Sequence, residues 1–115
     1  MLPRSQRLSV GQFGIVMEKG RVFHSTLFLI RVLKTGSGIK VAAVAPQKAA
    51  KKAVDRNKMR RKIYEAVVPP LSKYDGKSAT GYHVIVFAKP AAAAAEFKDI
   101  VSDINTVFVK AGILK

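Results

Sequence analysis

Any hydrolytic or transfer site in this chain would have to be built from seven carboxylates and two histidines, since cysteine is absent. Acid, base or nucleophilic catalysis needs such groups held within hydrogen-bond reach of one another. Glu96, Asp99 and Asp103 fall near the start of a C-terminal helical pattern, where they offset its dipole, and Asp75 sits in a polar loop. Glu18, Asp55 and Glu65 have no partner at dyad or metal-ligand spacing, although Asp55 could anchor Arg56 or Arg60. His24 and His83 lie far apart with no carboxylate at metal-site spacing. The lack of cysteine removes thiolate nucleophiles, disulfides and cysteine-bound zinc. No glycine-rich phosphate loop of the nucleotide-binding kind is present. Neither self-contained catalysis nor a protein-held metal is expected.

The abundant chemistry is cationic. Lysine and arginine total 21 against 7 acids, a formal net charge of +14. Such an excess repels itself in a compact state unless a polyanion neutralises it. Residues 48–62 carry Lys48, Lys51, Lys52, Arg56, Lys58, Arg60, Arg61 and Lys62 against one acid, Asp55, so half of the net charge lies in an eighth of the chain. Solubilising charge is dispersed and mixed in sign, whereas a block of this kind is the footprint of phosphate-backbone binding. At 49 % apolar residues the chain can still bury a core and is not a disordered basic tail. No apolar run reaches 18 residues, and Met1-Leu2-Pro3-Arg4 lacks a signal-peptide stretch. A cytoplasmic protein with no membrane partner is the expectation.

The elements that must position this charge follow from periodicity. Residues 1–8 read as a short flexible basic tail. Ser9 with Gln12 forms a weak capping box for a helix carrying Val10, Phe13, Val16 and Met17 and stopped by Gly20. Val22 to Leu33 reads as one long strand that turns through Thr35-Gly36-Ser37-Gly38 and returns as Ile39 to Ala45, an antiparallel hairpin. The basic segment reads as a helix from about Lys51 to Val68, closed by Pro69-Pro70. At 100° per residue, Met59, Ile63, Ala66 and Val67 fall on one stripe, with Ala50, Ala53 and Val54 to the side. Residues 48–54 are therefore either a loop and first turn packed differently or a stretch where the buried side rotates. Lys58, Arg61 and Lys62 point away from the stripe, while Lys52 and Arg56 lie close to it. After a polar loop over residues 69–81, Tyr82 to Ala88 has the continuous apolar character of a central or parallel strand. The last helix carries Phe97, Ile100, Val101, Ile104, Val107, Phe108 and Ala111 on its core stripe. The sum is one α+β domain over residues 1–115, two layers in the order helix, strand, strand, helix, strand, helix. Phe13 and Met17, one turn apart, would face the strand and could offer stacking surface to single-stranded bases.

The run Lys52-Ala53-Val54-Asp55-Arg56-Asn57-Lys58-Met59-Arg60-Arg61-Lys62-Ile63-Tyr64-Glu65 closely resembles the signature of the protein subunit of bacterial ribonuclease P. Met1-Leu2-Pro3-Arg4, Arg7-Leu8, Phe13, Val16, Gly20, Phe28 and Val84-Ile85-Val86-Phe87-Ala88-Lys89-Pro90 fit the same family. The resemblance implies the fold of the second domain of ribosomal protein S5, with the basic helix in a left-handed βαβ crossover. It implies two partners, a large catalytic RNA and precursor tRNA, with no obligate protein partner. It also implies Mg2+ held mainly by the RNA, and hydrolysis that leaves a 5′ phosphate on the tRNA. On the motif it places Arg56, Asn57, Lys58, Arg60 and Arg61 against RNA, and the concentration of charge adds Lys48, Lys51, Lys52 and Lys62 to that surface. Along a cleft for the 5′ leader it places Phe13, Met17, Leu29, Arg31 and Lys89. This chain departs from the family pattern at Tyr64, where arginine is common, and at Met17 and Arg31, where aromatics are frequent. Lys51 stands where the family has a glycine.

Overall fold

The computed structural model describes residues 7–35, 38–72 and 81–113, with side chains 69–72 left aside. Most of the predicted tail and the loop centres at 36–37 and 73–80 lie outside the described residues. Helix α1 spans Val10–Lys19, followed by strands β1 (Arg21–His24), β2 (Phe28–Thr35) and β3 (Ile39–Val44). Helix α2 spans Ala53–Ser72, strand β4 Gly81–Ala88, a short 3-10 helix Pro90–Ala94, and α3 Phe97–Lys110. One sheet has the order β1-β2-β4-β3.

Two expectations about the strands are corrected. The predicted single strand Val22 to Leu33 is a hairpin, in which His24 pairs with Leu29 and Val22 with Arg31. Its tip contains neither glycine nor asparagine and is held from outside. The Ser25 N–H donates to the Phe28 carbonyl at 2.8 Å. Asp103 of α3 accepts from the Leu27 N–H at 3.0 Å and from the Ser25 hydroxyl. Lys89 Nζ donates to the Ser25 carbonyl at 2.6 Å, and Lys110 Nζ to the His24 carbonyl at 3.1 Å. Asp103→Ala is expected to lower stability by about 1–3 kcal/mol, the usual cost of stranding part-buried donors. Urea unfolding checks it, and an unchanged midpoint would show that the turn holds without its anchor.

The predicted hairpin between β2 and the strand from Ile39 does not form either. β4 lies between them, antiparallel to β2 (Leu29 with Phe87, Arg31 with Ile85) and parallel to β3 (Phe87 with Val44). Val84, Ile85 and Val86 are all fully buried, which requires both edges paired and both faces covered. Central placement for β4, as its apolar run suggests, displaces β3 to the edge. That edge is itself covered: Arg7 bridges Val41, so residues 7 and 8 are not free tail, and the Ala43 N–H donates to Tyr64 Oη at 3.2 Å.

Phe28, Ile30 and Val32 of β2, Val41 of β3 and Val84 and Val86 of β4 face α2 and α3 and form the main core with them. From α2 come Met59, Ile63, Ala66 and Val67, as the stripe predicts. From α3 come Ile100, Ile104, Val107 and Phe108. Phe97, expected on that stripe, is 44 % exposed because it opens the helix and its side chain points back past the helix start. The prolines do not close α2, whose backbone stays helical to Ser72. Proline's fixed φ is itself helical, so the cost is one donor and crowding with the preceding turn, which a last turn can bear.

α1 lies on the opposite face of the sheet. Its capping box is formed, with the Gln12 N–H on Ser9 Oγ at 3.2 Å and the Ser9 N–H on Gln12 Oε1 at 2.9 Å. Val16 is fully buried yet stands outside the main core. Gly20 ends the helix where a Cβ would stand 2.5 Å from the Val16 carbonyl, so the turn by which the chain leaves α1 requires glycine there.

Candidate nucleic-acid interface

The geometry of α2 sorts its residues into two sets. Met59, Ile63, Ala66 and Val67 anchor it to the core, while Asn57, Lys58, Arg60, Arg61 and Lys62 are exposed. Lys48, Lys51 and Lys52 are exposed on the lead-in loop. Residues 46–52 are not helical, which decides between the two readings of this stretch: the loop is packed differently, with Ala49 buried and Val54 63 % exposed.

The lead-in turn is built without the family's glycine. The Ala49 and Ala50 N–H groups donate to the Pro46 carbonyl at 2.9 and 3.2 Å, and no described non-glycine residue has a positive φ. Arg56, expected close to the buried side, is half-buried, and Nη1 donates to the Lys51 carbonyl at 2.8 Å and the Ala50 carbonyl at 3.2 Å. That arginine fixes the loop carrying Lys51 and Lys52 against the helix start. Lys52 is exposed. Asp55 pairs with neither Arg56 nor Arg60; Arg60 Nη2 donates instead to Asn57 Oδ1, one turn back. None of the eight basic side chains from Lys48 to Lys62 forms an ion pair among the described residues, where Lys98 with Glu96 is the pair observed. Apart from Arg56, the basic side chains of this block are exposed and without an ion-pair partner, at a helix N-terminus whose dipole adds to the field. A groove of about 340 Å³ runs beside it, lined by Ala49, Ala50, Asp55, Lys58, Met59, Lys62 and Ala93.

The second candidate region is the sheet face under α1. Alternation places Leu29, Arg31 and Leu33 of β2 on it, each half-buried, together with His83, Ile85 and Phe87 of β4 and Lys40, Ala42 and Val44 of β3. Phe13 is half-buried and Met17 39 % exposed on the helix above. Four of the five predicted cleft residues thus share one side of the sheet. Arg31 also has a positioning role, since its Nη1 donates to the Met17 carbonyl at 3.2 Å and holds the last turn of α1 to β2. Lys89 stands apart, its ammonium taken up by the Ser25 carbonyl at the hairpin tip. Tyr64, where arginine is common, ties α2 to the β3 edge.

Sequence reading did not place Phe87 on this face, because β4 is buried on both faces and shows no clean alternation, nor Val44 beside it, because β3 pairs with β4 instead of with β2. It also missed Asp103, whose partners lie 76 and 78 residues away. No short-range signal could have found the role of Asp103.

His83 is held below the usual imidazole pKa of 6.5, first by burial and second by the Lys40 charge beside it. The unfolded chain then binds more protons than the folded one just below pH 6.5, so stability is present above that pH and falls as pH drops through it. His83→Gln should flatten this acid-side loss in unfolding midpoints measured from about pH 7.5 down to about pH 5. An unaltered pH slope would place the loss elsewhere.

Among the described residues no group of three or more histidines and carboxylates lies close enough to hold a metal, and no helix is long and apolar enough to cross a membrane. A basic α+β protein with its charge gathered on one helix and its lead-in loop has the electrostatic footprint of an RNA-binding protein. Residues 2–112 match the family model described as Ribonuclease P. The ribonuclease P protein component of Clostridioides difficile (strain 630) is 30 % identical over 101 residues, 88 % of this chain and 86 % of that protein. That of Clostridium botulinum (strain 657 / Type Ba4) is 31 % identical over 102 residues, 89 % of each chain. The Staphylococcus aureus RNase P protein superposes with a TM-score of 0.79 at 18 % identity, covering 96 % of this chain and 98 % of its own. The Thermotoga maritima protein gives 0.72 at 18 %, covering 88 % and 94 %; these two show the shared fold. The chain belongs to the bacterial ribonuclease P protein family.

Proposed function

We propose that the outward side of α2 and its lead-in loop bind the catalytic RNA of ribonuclease P, and that the cleft between α1 and the sheet receives the single-stranded 5′ leader of precursor tRNA. The chain is the accessory protein subunit of that ribonucleoprotein and aids RNA-based removal of the leader, the RNA carrying the catalysis. The observation that carries the site assignment is the set of seven exposed basic side chains, Lys48, Lys51, Lys52, Lys58, Arg60, Arg61 and Lys62, none with an ion-pair partner among the described residues.

Lysine and arginine neutralise phosphates without reading sequence, which suits a subunit that must accept many tRNA precursors. Arg56 acts at one remove, holding Lys51 and Lys52 where they meet the backbone. Asn57 orients Arg60, whose planar fork suits a phosphate. No group of the described residues fits a magnesium site; in this reading the ions are held mainly by the RNA, and this chain contributes by fixing leader and RNA relative to each other. In this reading residues 1–115 act as one domain in the cytoplasm, without an obligate protein partner. The β3-α2-β4 crossover takes the left-handed sense the resemblance implies, against the usual rule.

Reconstitution tests the proposal. At low magnesium, the folded protein with its catalytic RNA should accelerate 5′ processing of precursor tRNA and should cleave nothing alone. Folded protein that gives no acceleration would overturn the reading.

A further inference from the structure

The leader cleft of this chain lacks the ring that a stacking wall would need at Met17 and at Arg31. The sheet supplies one from a different strand. Of the phenyl and phenol rings among the described residues, Phe28 and Phe108 are fully buried in the main core, and Phe23, Tyr64 and Tyr82 pack against it. Phe97 opens α3. Phe13 on α1 and Phe87 on β4 remain for the face that α1 shares with the sheet.

Phe87 is part-exposed, and its cross-strand partners are Leu29 on one side and Val44 on the other. Directly opposed residues on one sheet face stand side by side. Beyond Leu29 comes the exposed His24, so His24, Leu29, Phe87 and Val44 form a row across all four strands. The adjacent row, Arg31 with Ile85, is where α1 is fastened through Arg31 and the Met17 carbonyl.

Topology then sets what lies beside the ring. β3 and β4 are parallel, and Val44 is the last residue of β3, so Phe87 stands at the end of the sheet from which the chain leaves towards Lys48, Lys51, Lys52 and the start of α2. Ala93, five residues after β4, lines one groove with Ala49, Ala50 and Lys58, which brings these two chain exits together. A part-exposed ring at the end of the sheet from which a basic loop departs offers the pairing that binds single strands, cations for the phosphates and a π-face for the bases.

We propose that Phe87 is the base-stacking platform of the leader cleft in this protein, with Leu29 and Val44 as its apolar floor. This rests on the leader-cleft reading above and names the residue on β4 that does the stacking. The contact reads no base identity, because every base presents a π-face.

The experiment uses the reconstituted holoenzyme and three precursor tRNAs: one with a normal leader, one with a one-nucleotide leader, and one with a full-length abasic leader that keeps its phosphates. Phe87→Ala should weaken binding of the normal precursor by about 10-fold and leave the other two within about 2-fold of the unaltered protein, while Phe87→Tyr should bind as the unaltered protein does. Phe87→Leu keeps apolar bulk and guards against a folding defect; it should unfold at the unaltered temperature and still lose most of the normal-leader affinity. Equal loss on all three substrates would make Phe87 a packing residue, and no loss on any would remove it from the cleft; either overturns the inference. If the unaltered holoenzyme binds all three precursors alike, the leader-cleft reading itself fails and the inference falls with it. Discrimination by the unaltered protein that Phe87→Ala leaves intact would sink the inference alone.

Discussion

Alanine at Lys58, Arg61 and Lys62 together is expected to weaken binding to the catalytic RNA by roughly 100- to 1000-fold, taking about 1–1.5 kcal/mol per lost phosphate contact. All three side chains are exposed on the side of α2 away from Met59 and Ile63, and none has an acidic partner among the described residues. Their removal should therefore leave the fold almost untouched, within about 0.5 kcal/mol, as surface changes do. The sharper signature is electrostatic. Each neutralised phosphate contributes about −0.7 to −0.9 to the slope of log K against log salt, so the triple variant should be less steep by about 2 to 3. Affinities measured across a salt series decide the matter: a weaker but parallel line would mean that these residues do not touch phosphates.

Ile63→Ala should do the reverse. Ile63 is fully buried in the core that α2 shares with the sheet, one residue after Lys62 and about 100° around the helix from it. Truncating it removes apolar contact and leaves a cavity, for a loss of about 2–5 kcal/mol. For a chain of this length that lowers the melting temperature by on the order of 10 °C. Well below the new transition the salt slope should match the unaltered protein, because the outward charges keep their positions. Thermal unfolding and the salt series on the same preparation separate the two effects, and a melting temperature lowered by less than about 3 °C would show that α2 is held chiefly by its other anchors.

The two variants mark the division within the sequence pattern itself. A helix repeats its faces every 3.6 residues, so spacing alone makes Met59, Ile63, Ala66 and Val67 legible as the buried stripe and Lys58, Arg61 and Lys62 as the exposed face. The stripe of α3 is legible for the same reason, except at Phe97, where the helix starts and periodicity has no earlier turn to rest on. The family signature is legible in the run from Lys52 to Glu65, and with it the surface proposed to meet RNA.

Sheet order was not legible. The break at Ser25 to Leu27 is enforced by Asp103, 76 residues beyond Leu27, and a strand pattern carries no mark of a distant carboxylate. The short loop after β2 suggested direct pairing with β3, but β4 is apolar on both faces and gains most from the centre of the sheet, and that competition is settled by burial rather than by chain proximity.

The sequence alone determined the net charge, its concentration between Lys48 and Lys62, the helical faces of α2 and α3, and the family, because each depends on residue type and local period. Tertiary structure decided which cations face outward and which are tethers. Arg56 clamps the lead-in loop, Arg31 fastens α1, and Lys89 and Lys110 secure the hairpin, all by donating to backbone carbonyls. It also decided that Phe87 shares a face with Leu29. A lysine or arginine carries the same charge wherever it stands, but a donor taken by a carbonyl is no longer free for a phosphate, and only the three-dimensional arrangement of the backbone sets which carbonyl lies within reach.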